Sequence, residues 1–405
     1  MVIGAGASGV FCSIRFAELS FQKRICILEA GIEPLSKVKI SGGGRCNVTT
    51  SISDPQDLVN YYPRGSKEML GPFYKFGPRD MQEWLEEKNV QLKTEADGRM
   101  FPVSNRSQTI IDCFMNAIHK NGIVLKTKSR AKKILWNEEE KLWNIELDEQ
   151  IYTSKLLLLA TGSDARSWEL LNQLGHQIIP PVPSLFSFNI PDVSLQKLTG
   201  LSVPIAQLEI IDQNFKAEGP LLITHWGLSG PAILKLSAWG ARWLHENHYE
   251  FNLRVKWIPL SKIEVIHHFQ KYKQAHAEKK MGSGSLFELP LRLWQYHLQL
   301  SGIGADLKWV EIKQNKLEIL AASLTEQIIR VKGKTTFKEE FVTAGGVRLS
   351  EVDFRTFQSK LHPQLYLAGE VLDIDALTGG FNFQAAWTSA WLAAESMSQY
   401  SYVEK

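Results

Sequence analysis

The chain opens on an apolar stub, "MVIG", passes through small residues, and continues with a helical apolar period in "ASGVFCSIRFAEL" and a short apolar run in "KRICILEAG". This pattern predicts a strand, a glycine turn, a helix and a second strand, and such a βαβ unit requires a parallel sheet. The first strand has almost nothing before its glycines, so either it is unusually short or the natural start lies upstream. "DMQEWLEEKNVQLKTEADGRMFPVSNRSQTIIDCFMNAIHKNGIVLKTK" predicts a helix opened by Arg79 or Asp80, then a polar excursion. A second amphipathic helix, closed by Asn121 and Gly122, and a strand follow. "ILWNEEEKLWNIELDEQIYTSKLLLLATG" reads as a β-meander that returns to a buried strand, with "NEEEK" as a solvated turn.

The texture changes after Pro180, Pro181, Val182 and Pro183. Short alternating runs such as "LSVPIAQLEIID" and "HYEFNLRVKWI" predict a small antiparallel barrel or sheet. Between about residues 259 and 322 the period is helical, and from "FVTAGGV" onwards α/β texture returns, ending in the long helix "FQAAWTSAWLAAESMSQY". The pattern predicts one α/β domain built from both chain ends, interrupted by an insertion.

Composition changes little in this picture. The 405 residues are 44% hydrophobic and 22% charged, as in ordinary soluble globular proteins, and suffice for two or three domains. A net charge of +3, from 46 basic and 43 acidic residues, argues against nucleic acid or an anionic membrane as the main partner. Cys12, Cys26, Cys46 and Cys113 form no CxxC pair and no metal-ligand spacing, which predicts a reduced, cytoplasmic protein without a metal site. No signal peptide or membrane-spanning run is visible; "KLLLLATG" is far too short to cross a bilayer.

Two stretches carry chemistry. Gly4, Gly6 and Gly9 form a GxGxxG turn, with Ala7 and Ser8 opening the helix. In such a turn the first glycine permits the bend, the second admits a pyrophosphate to the backbone, and the third lets helix and strand pack closely. Glu29, followed by Ala30, ends the next strand about 20 residues later, the spacing of a carboxylate on ribose hydroxyls. A carboxylate there would repel a 2′-phosphate, so NADP is not the ligand of this half. Near the other end, "LYLAG" is a buried strand ending at Gly369, followed by Glu370 and Asp373 where open α/β sheets bind ligands. Thr378, Gly379 and Gly380 then start a helix whose first amides, with Phe381 and Asn382, would face the crevice and favour negative charge on a reduced flavin. "SGGGRCN", Ser41–Asn47, spends three consecutive glycines. Read alone it is either a loose surface turn or a backbone pressed against a flat or phosphorylated ligand.

With "VIGAGASG", "KISGGGRCNVT", "GRMFPVSNRS", "LLITHWGLSGPAILKLS", "FVTAGGVRLSEVDFRT" and "LYLAGEVLDIDALTGGFNFQAAW" in view, the chain resembles the HI0933-like (BaiN/aminoacetone-oxidase-type) family of bacterial FAD-dependent oxidoreductases. That family falls within the glutathione-reductase-like two-dinucleotide-fold superfamily, and the likeness runs nearly end to end. The resemblance implies an α/β fold with a Rossmann-like FAD-binding domain at 1–186 and 341–405. It also implies a β-barrel insert at 187–258 and 323–340 and a small helical domain at 259–322. It further implies that Ser41, Gly42, Gly43, Gly44, Arg45, Cys46 and Asn47 line the cofactor, with Arg45 and Lys37 supplying donors to phosphate or the flavin edge. Ala131, Ala160, Thr161 and Gly162 are implied at the cofactor as well. The chain departs from the family in continuing after Gly162 as "SDARSWELL", and in carrying Ala376 where glycine is common.

No catalytic residue is identified. His225, in "THWGLSGP", and Cys46 are the candidates; the bland readings are a structural histidine and packing beside the flavin. Thr343, Ala344 and Gly345 read as a cofactor-side loop or a hinge. The function expected is hydride or electron transfer between a small organic substrate or NAD(P)H and bound FAD, with the insertion roofing the flavin. No second dinucleotide turn is visible, so NAD(P)H would visit transiently. The alternatives are a flavin-binding module without turnover and an RNA-modifying flavoenzyme, the latter disfavoured by the near-neutral charge.

Overall fold

In the computed structural model, which describes residues 1–20, 23–335 and 342–403 (from 401 the backbone alone), the chain divides into two compact units. One is Met1–Val182 with Lys338–Lys405, and the other is Pro183–Phe337.

The first unit holds the parallel sheet that the opening residues require. Its strands are β1 (Val2–Ile3), β2 (Cys26–Leu28), β3 (Val124–Lys126), β4 (Leu157–Leu159) and β5 (Leu365–Leu367). Their order is β3-β2-β1-β4-β5, with Val2 in register between Ile27 and Leu158. Strands β2 and β4 flank β1, so the chain winds away in opposite directions on either side of it. That reversal leaves a crevice at the carboxyl end of β1, where ligands bind in open α/β sheets. The glycine turn emerges there.

Two helices cover the sheet from opposite ends of the sequence: α1 (Ala7–Leu19), beginning at the turn, and a 23-residue helix, Phe381–Val403. Phe11 of α1 is fully buried, with ring centroids 4.9 Å from Trp84, 5.5 Å from Trp387, 5.7 Å from Phe76 and 6.0 Å from Trp391. Alanines at 385, 386, 390, 393 and 394 are buried, which gives the large rings room. Such edge-on and offset aromatic contacts add about 0.5–1.5 kcal/mol per pair to the area they bury.

The helix expected to open at Arg79 or Asp80 runs from Pro78 to Glu87. Asp80 acts from inside the first turn, accepting the Gly77 N–H at 2.7 Å, so the carboxylate marks the third helical position and not the cap. The second helix, Ser107–Lys120, ends on Asn121 and Gly122. "VTAGGV" is neither loop nor hinge but a strand, Val342–Val347, laid against Ile178–Ser184. A Cβ on Gly345 would come within 2.6 Å of Pro181, so the small residues there serve close strand packing.

The second unit is built on seven hydrogen-bonded strands. Gln327–Lys332 and Lys334–Thr335 stand at opposite ends of the strand order yet flank a single residue, Gly333. The Gly333 N–H donates to the Tyr249 carbonyl (2.8 Å), and its own carbonyl accepts from the Asn189 N–H (3.0 Å). One bent strand therefore pairs with Glu250–Lys256 before the bend and with Ser187–Asn189 after it. Three helices follow the sheet's apolar face: Lys262–Ala275, Leu291–Leu300 and Gln314–Thr325. The first starts with a reciprocal cap between Ser261 and Glu264, and Phe269, Trp294 and Trp309 pack at their meeting point.

Candidate functional site

The glycine turn is tied to both flanking strands. A Cβ on Gly4 would fall inside the carbonyl of Ala160 at the end of β4, and one on Gly9 inside the carbonyl oxygen of Gly4. Those two glycines are demanded by the protein itself. Gly6 is different. Its φ of −80° suits any residue, and a Cβ built on it meets no atom within 4 Å. Neither left-handed backbone nor packing calls for glycine at this N-cap position, whose open space at the start of α1 is the place a dinucleotide turn gives to pyrophosphate.

Glu29 sits beside this turn, accepting the Ala5 N–H at 2.8 Å and the Gly31 N–H at 2.6 Å. Two amides leave a carboxylate with lone pairs to spare for hydroxyl groups. Ala131 is removed by one step, the Ser129 N–H bonding the Glu29 carbonyl at 2.8 Å. Ser8 faces Gly369, where any Cβ would strike its hydroxyl. Gly4, Ser8, Glu29, Ala160 and Gly369 thus gather at one end of the sheet.

"SGGGRCN" ends the helix Ser36–Gly44, which breaks at Ser41, Gly42 and Gly43. Gly42, Gly43 and Gly44 have φ of 58°, 68° and 81°, three consecutive left-handed residues. Side chains there would cost on the order of 1–2 kcal/mol each, which accounts for the glycine run. The chain turns straight back beneath the other specific motif. The Asn47 side chain accepts the Gly380 N–H (2.8 Å) and donates to the Thr49 carbonyl (3.1 Å). A Cβ on Gly380 would overlap the Thr49 carbonyl. Below this contact Thr49 bonds Gln384 at 2.6 Å, and the Trp387 indole donates to the Val48 carbonyl at 2.9 Å. Motifs more than three hundred residues apart are therefore one surface.

A third group joins Lys37 to Glu370. The ammonium pairs with that carboxylate and bonds Ser163 at 3.3 Å, while Glu370 also accepts the Thr343 N–H at 3.2 Å. Gly162 lies alongside, its would-be Cβ 3.7 Å from Glu370. The hydroxyls of Thr161 and Thr343 are buried without a hydrogen-bond partner among the described residues. Buried hydroxyls are costly to leave unpaired, and these two are open to a hydrogen bond from water or a ligand.

Several expected residues have partners within the protein. The Arg45 guanidinium is held by Glu95 at 2.6 Å and lies 4.0 Å over the Phe101 ring. The Asn382 side chain bonds both the N–H and the carbonyl of Ala376 at 2.9 Å, pinning the loop before the helix. Asp373 is buried, and its N–H donates to the Val347 carbonyl. Phe381 stacks on Tyr61 at 4.3 Å, which leaves the ring engaged from the protein side. His225 belongs to the second unit, exposed on a turn against Trp226.

Cys46 takes a left-handed φ of 60° and is fully buried. Burial pushes its thiol up to about 12, so it stays protonated at neutral pH and is a poor nucleophile. Cys12 is raised to about 12 and Cys113 to about 11 for the same reason. Native protein is expected to react with a thiol reagent far more slowly than urea-unfolded protein at about pH 8. Rapid stoichiometric labelling of native Cys46 would contradict this.

Sequence reasoning missed Arg64 and Asp375. Asp375 is fully buried, and both its oxygens take the guanidinium of Arg64, which tethers the Gly369–Gly380 loop to the segment before Ser66. Asp375 stood inside a recognised motif, but nothing in "YYPRGS" marked its partner. A groove of about 630 Å³ lined by Glu86, Asn89, Val103 and Ser104 touches neither the glycine turn at Gly4–Gly9 nor the Ser41–Asn47 and Gly369–Asn382 stretches.

The model of the HI0933-like protein Rossmann domain matches residues 1–396. The chain belongs to the HI0933-like family. It is therefore an FAD-dependent oxidoreductase on a Rossmann-type domain, as its motifs predicted. Curated relatives match over the full length. A ribosomal RNA dihydrouridine synthase of Escherichia coli K12 is 26% identical over 408 residues, 98% of this chain and 97% of that protein. A 3-dehydro-bile acid delta(4,6)-reductase of Clostridium scindens is 25% identical over 413 residues, 98% of each chain. Among solved structures, a 3-ketosteroid-delta4-(5alpha)-dehydrogenase from Rhodococcus jostii RHA1 aligns with a TM-score of 0.53 at 12% identity, covering 98% of this chain and 96% of that one. That likeness concerns the fold alone. No helix among the described residues is long and apolar enough to cross a membrane.

Proposed function

We propose that this protein reduces a conjugated carbon–carbon double bond, with NAD(P)H as the source of hydride. The observation that carries the cofactor part is the glycine turn at the carboxyl end of β1, with open space over Gly6 and Glu29 beside it. The curated relatives support the reaction part, since both names denote saturation of a carbon–carbon double bond. Bound FAD supplies a two-electron carrier that accepts hydride from one partner and delivers it to another.

The protein's own part is binding and orientation. The turn at Gly4–Gly9 holds pyrophosphate against the first amides of α1, and Glu29 takes the ribose hydroxyls. Gly42–Gly44 and the Gly379–Gly380 turn present backbone to the flavin, with the amino end of the helix Phe381–Val403 favouring negative charge on it. Thr161 and Thr343 supply hydroxyl partners. Lys37 donates to Glu370 and Ser163 and keeps one ammonium hydrogen for an acceptor on the cofactor.

Anaerobic mixing of the yellow holoprotein with NADPH or NADH is expected to bleach it, and an added enone to restore the colour. A flavin that stays oxidised with both coenzymes would leave a binding module without turnover. A second reading places the reduced double bond in an RNA base. It is favoured by the two full-length relatives, from Escherichia coli and Haemophilus influenzae, that are named ribosomal RNA dihydrouridine synthases.

A further inference from the structure

The overall charge of +3 conceals an asymmetry. Between Pro183 and Phe337 stand 18 basic against 13 acidic residues and 7 of the 10 histidines, whereas the remainder carries 28 basic against 30 acidic. The second unit is the basic one, and its charge is concentrated at the end of the helix Lys262–Ala275.

There Tyr272 and His276 stack at 4.1 Å with an interplanar angle of 15°. The Lys279 ammonium donates to the Tyr272 hydroxyl at 3.1 Å, and Lys273 donates to the Ile312 carbonyl at 2.7 Å, beside exposed Lys313. Lys271 is exposed one residue before the stack. The nearby acids are taken up elsewhere: Glu278 bonds the Lys308 ammonium at 2.6 Å, Glu311 bonds the Lys308 N–H at 2.8 Å, and Asp306 pairs with Lys280 at 2.7 Å. A half-exposed aromatic stack ringed by lysines that no carboxylate among the described residues holds is the composition that binds unpaired nucleotides. The cations meet phosphates, and the flat rings accept a base.

We propose that Lys271, Lys273, Lys279 and Lys313, with the Tyr272–His276 stack, form a docking surface for single-stranded RNA. The inference rests on the second reading above, in which the substrate is an RNA base. The lysines provide sequence-independent affinity, and the stack holds one base.

The test uses the full-length holoprotein and a 30-nucleotide single-stranded transcript from ribosomal RNA, followed by fluorescence anisotropy from about 50 to 200 mM salt. Replacing all four lysines by glutamine is expected to weaken binding at least tenfold. It should also flatten the slope of log affinity against log salt by roughly 3, at about 0.7 per lost phosphate contact. His276→Ala should weaken binding several-fold and leave the slope unchanged. Both variants keep the flavin spectrum of the parent, which controls for folding. Binding by the quadruple variant with wild-type affinity and slope would overturn the surface. So would equally tight, lysine-dependent binding to phosphatidylglycerol vesicles, since the patch would then be a membrane contact. The two ideas fail separately. Uridine reduction in ribosomal RNA by the wild type, with the quadruple variant binding normally, sinks the surface and spares the RNA reading. Lysine-dependent RNA binding with no uridine reduced does the reverse.

Discussion

A Gly6→Val variant is expected to fold and yet emerge colourless from purification. In the absence of ligand the new side chain enters open space, and φ of −80° suits valine as well as glycine. The cost to the apoprotein is that of a poorer helix cap, about 0.5–1 kcal/mol. The branched carbon occupies the position that pyrophosphate must reach, and overpacking of about 1–3 kcal/mol corresponds to roughly a 10- to 100-fold loss of affinity. Fluorescence titration of apoprotein with FAD, beside urea unfolding of the same samples, separates the two quantities. Gly9→Ala is the contrasting variant. Its Cβ has no space against the Gly4 carbonyl, so it should lose folded protein as well as flavin. A Gly6→Val protein that retains stoichiometric FAD would mean that the cofactor does not lie on this turn.

The second large effect is expected at Arg64. Removing the guanidinium takes from the fully buried Asp375 the cation that both its oxygens bond, and breaking a buried pair from one side costs about 3–5 kcal/mol. Against a total stability of about 5–15 kcal/mol this is a large share. For a protein of this size it lowers the melting temperature by roughly 4–6 °C. Replacing both partners by apolar residues, Arg64→Met with Asp375→Leu, should recover most of the loss, because no charge is then stranded. Thermal unfolding of both variants decides. A single variant that melts within a degree or two of the parent would show that the tether contributes little to holding the loop.

The parallel sheet was legible because its strands are short apolar runs ended by glycines, and the two specific motifs because their glycines and acids are rare in combination. What could not be read was how side chains are spent. Nothing local tells that Glu95 lies opposite Arg45. Nor does anything local tell that the Asn382 side chain closes a loop on Ala376. Arg64 carried no signal because its partner is 311 residues away. Local periodicity also misled at "VTAGGV", where glycines suggested a loop and close packing on Pro181 made a strand. The charge total is a sum over the chain and does not tell how charge divides between the two units.

The pairing of α1 with the helix Phe381–Val403 has a consequence for biosynthesis. The ribosome makes Phe11 long before Trp387, so the nascent chain carries an uncovered aromatic cluster until the helix Phe381–Val403 has been made. The cofactor half can close only once that helix has emerged, while the 155 residues between Pro183 and Phe337 emerge earlier and are free to settle first. Truncation before Phe381 therefore yields a sticky, chaperone-bound product, with the inserted unit its best-formed part.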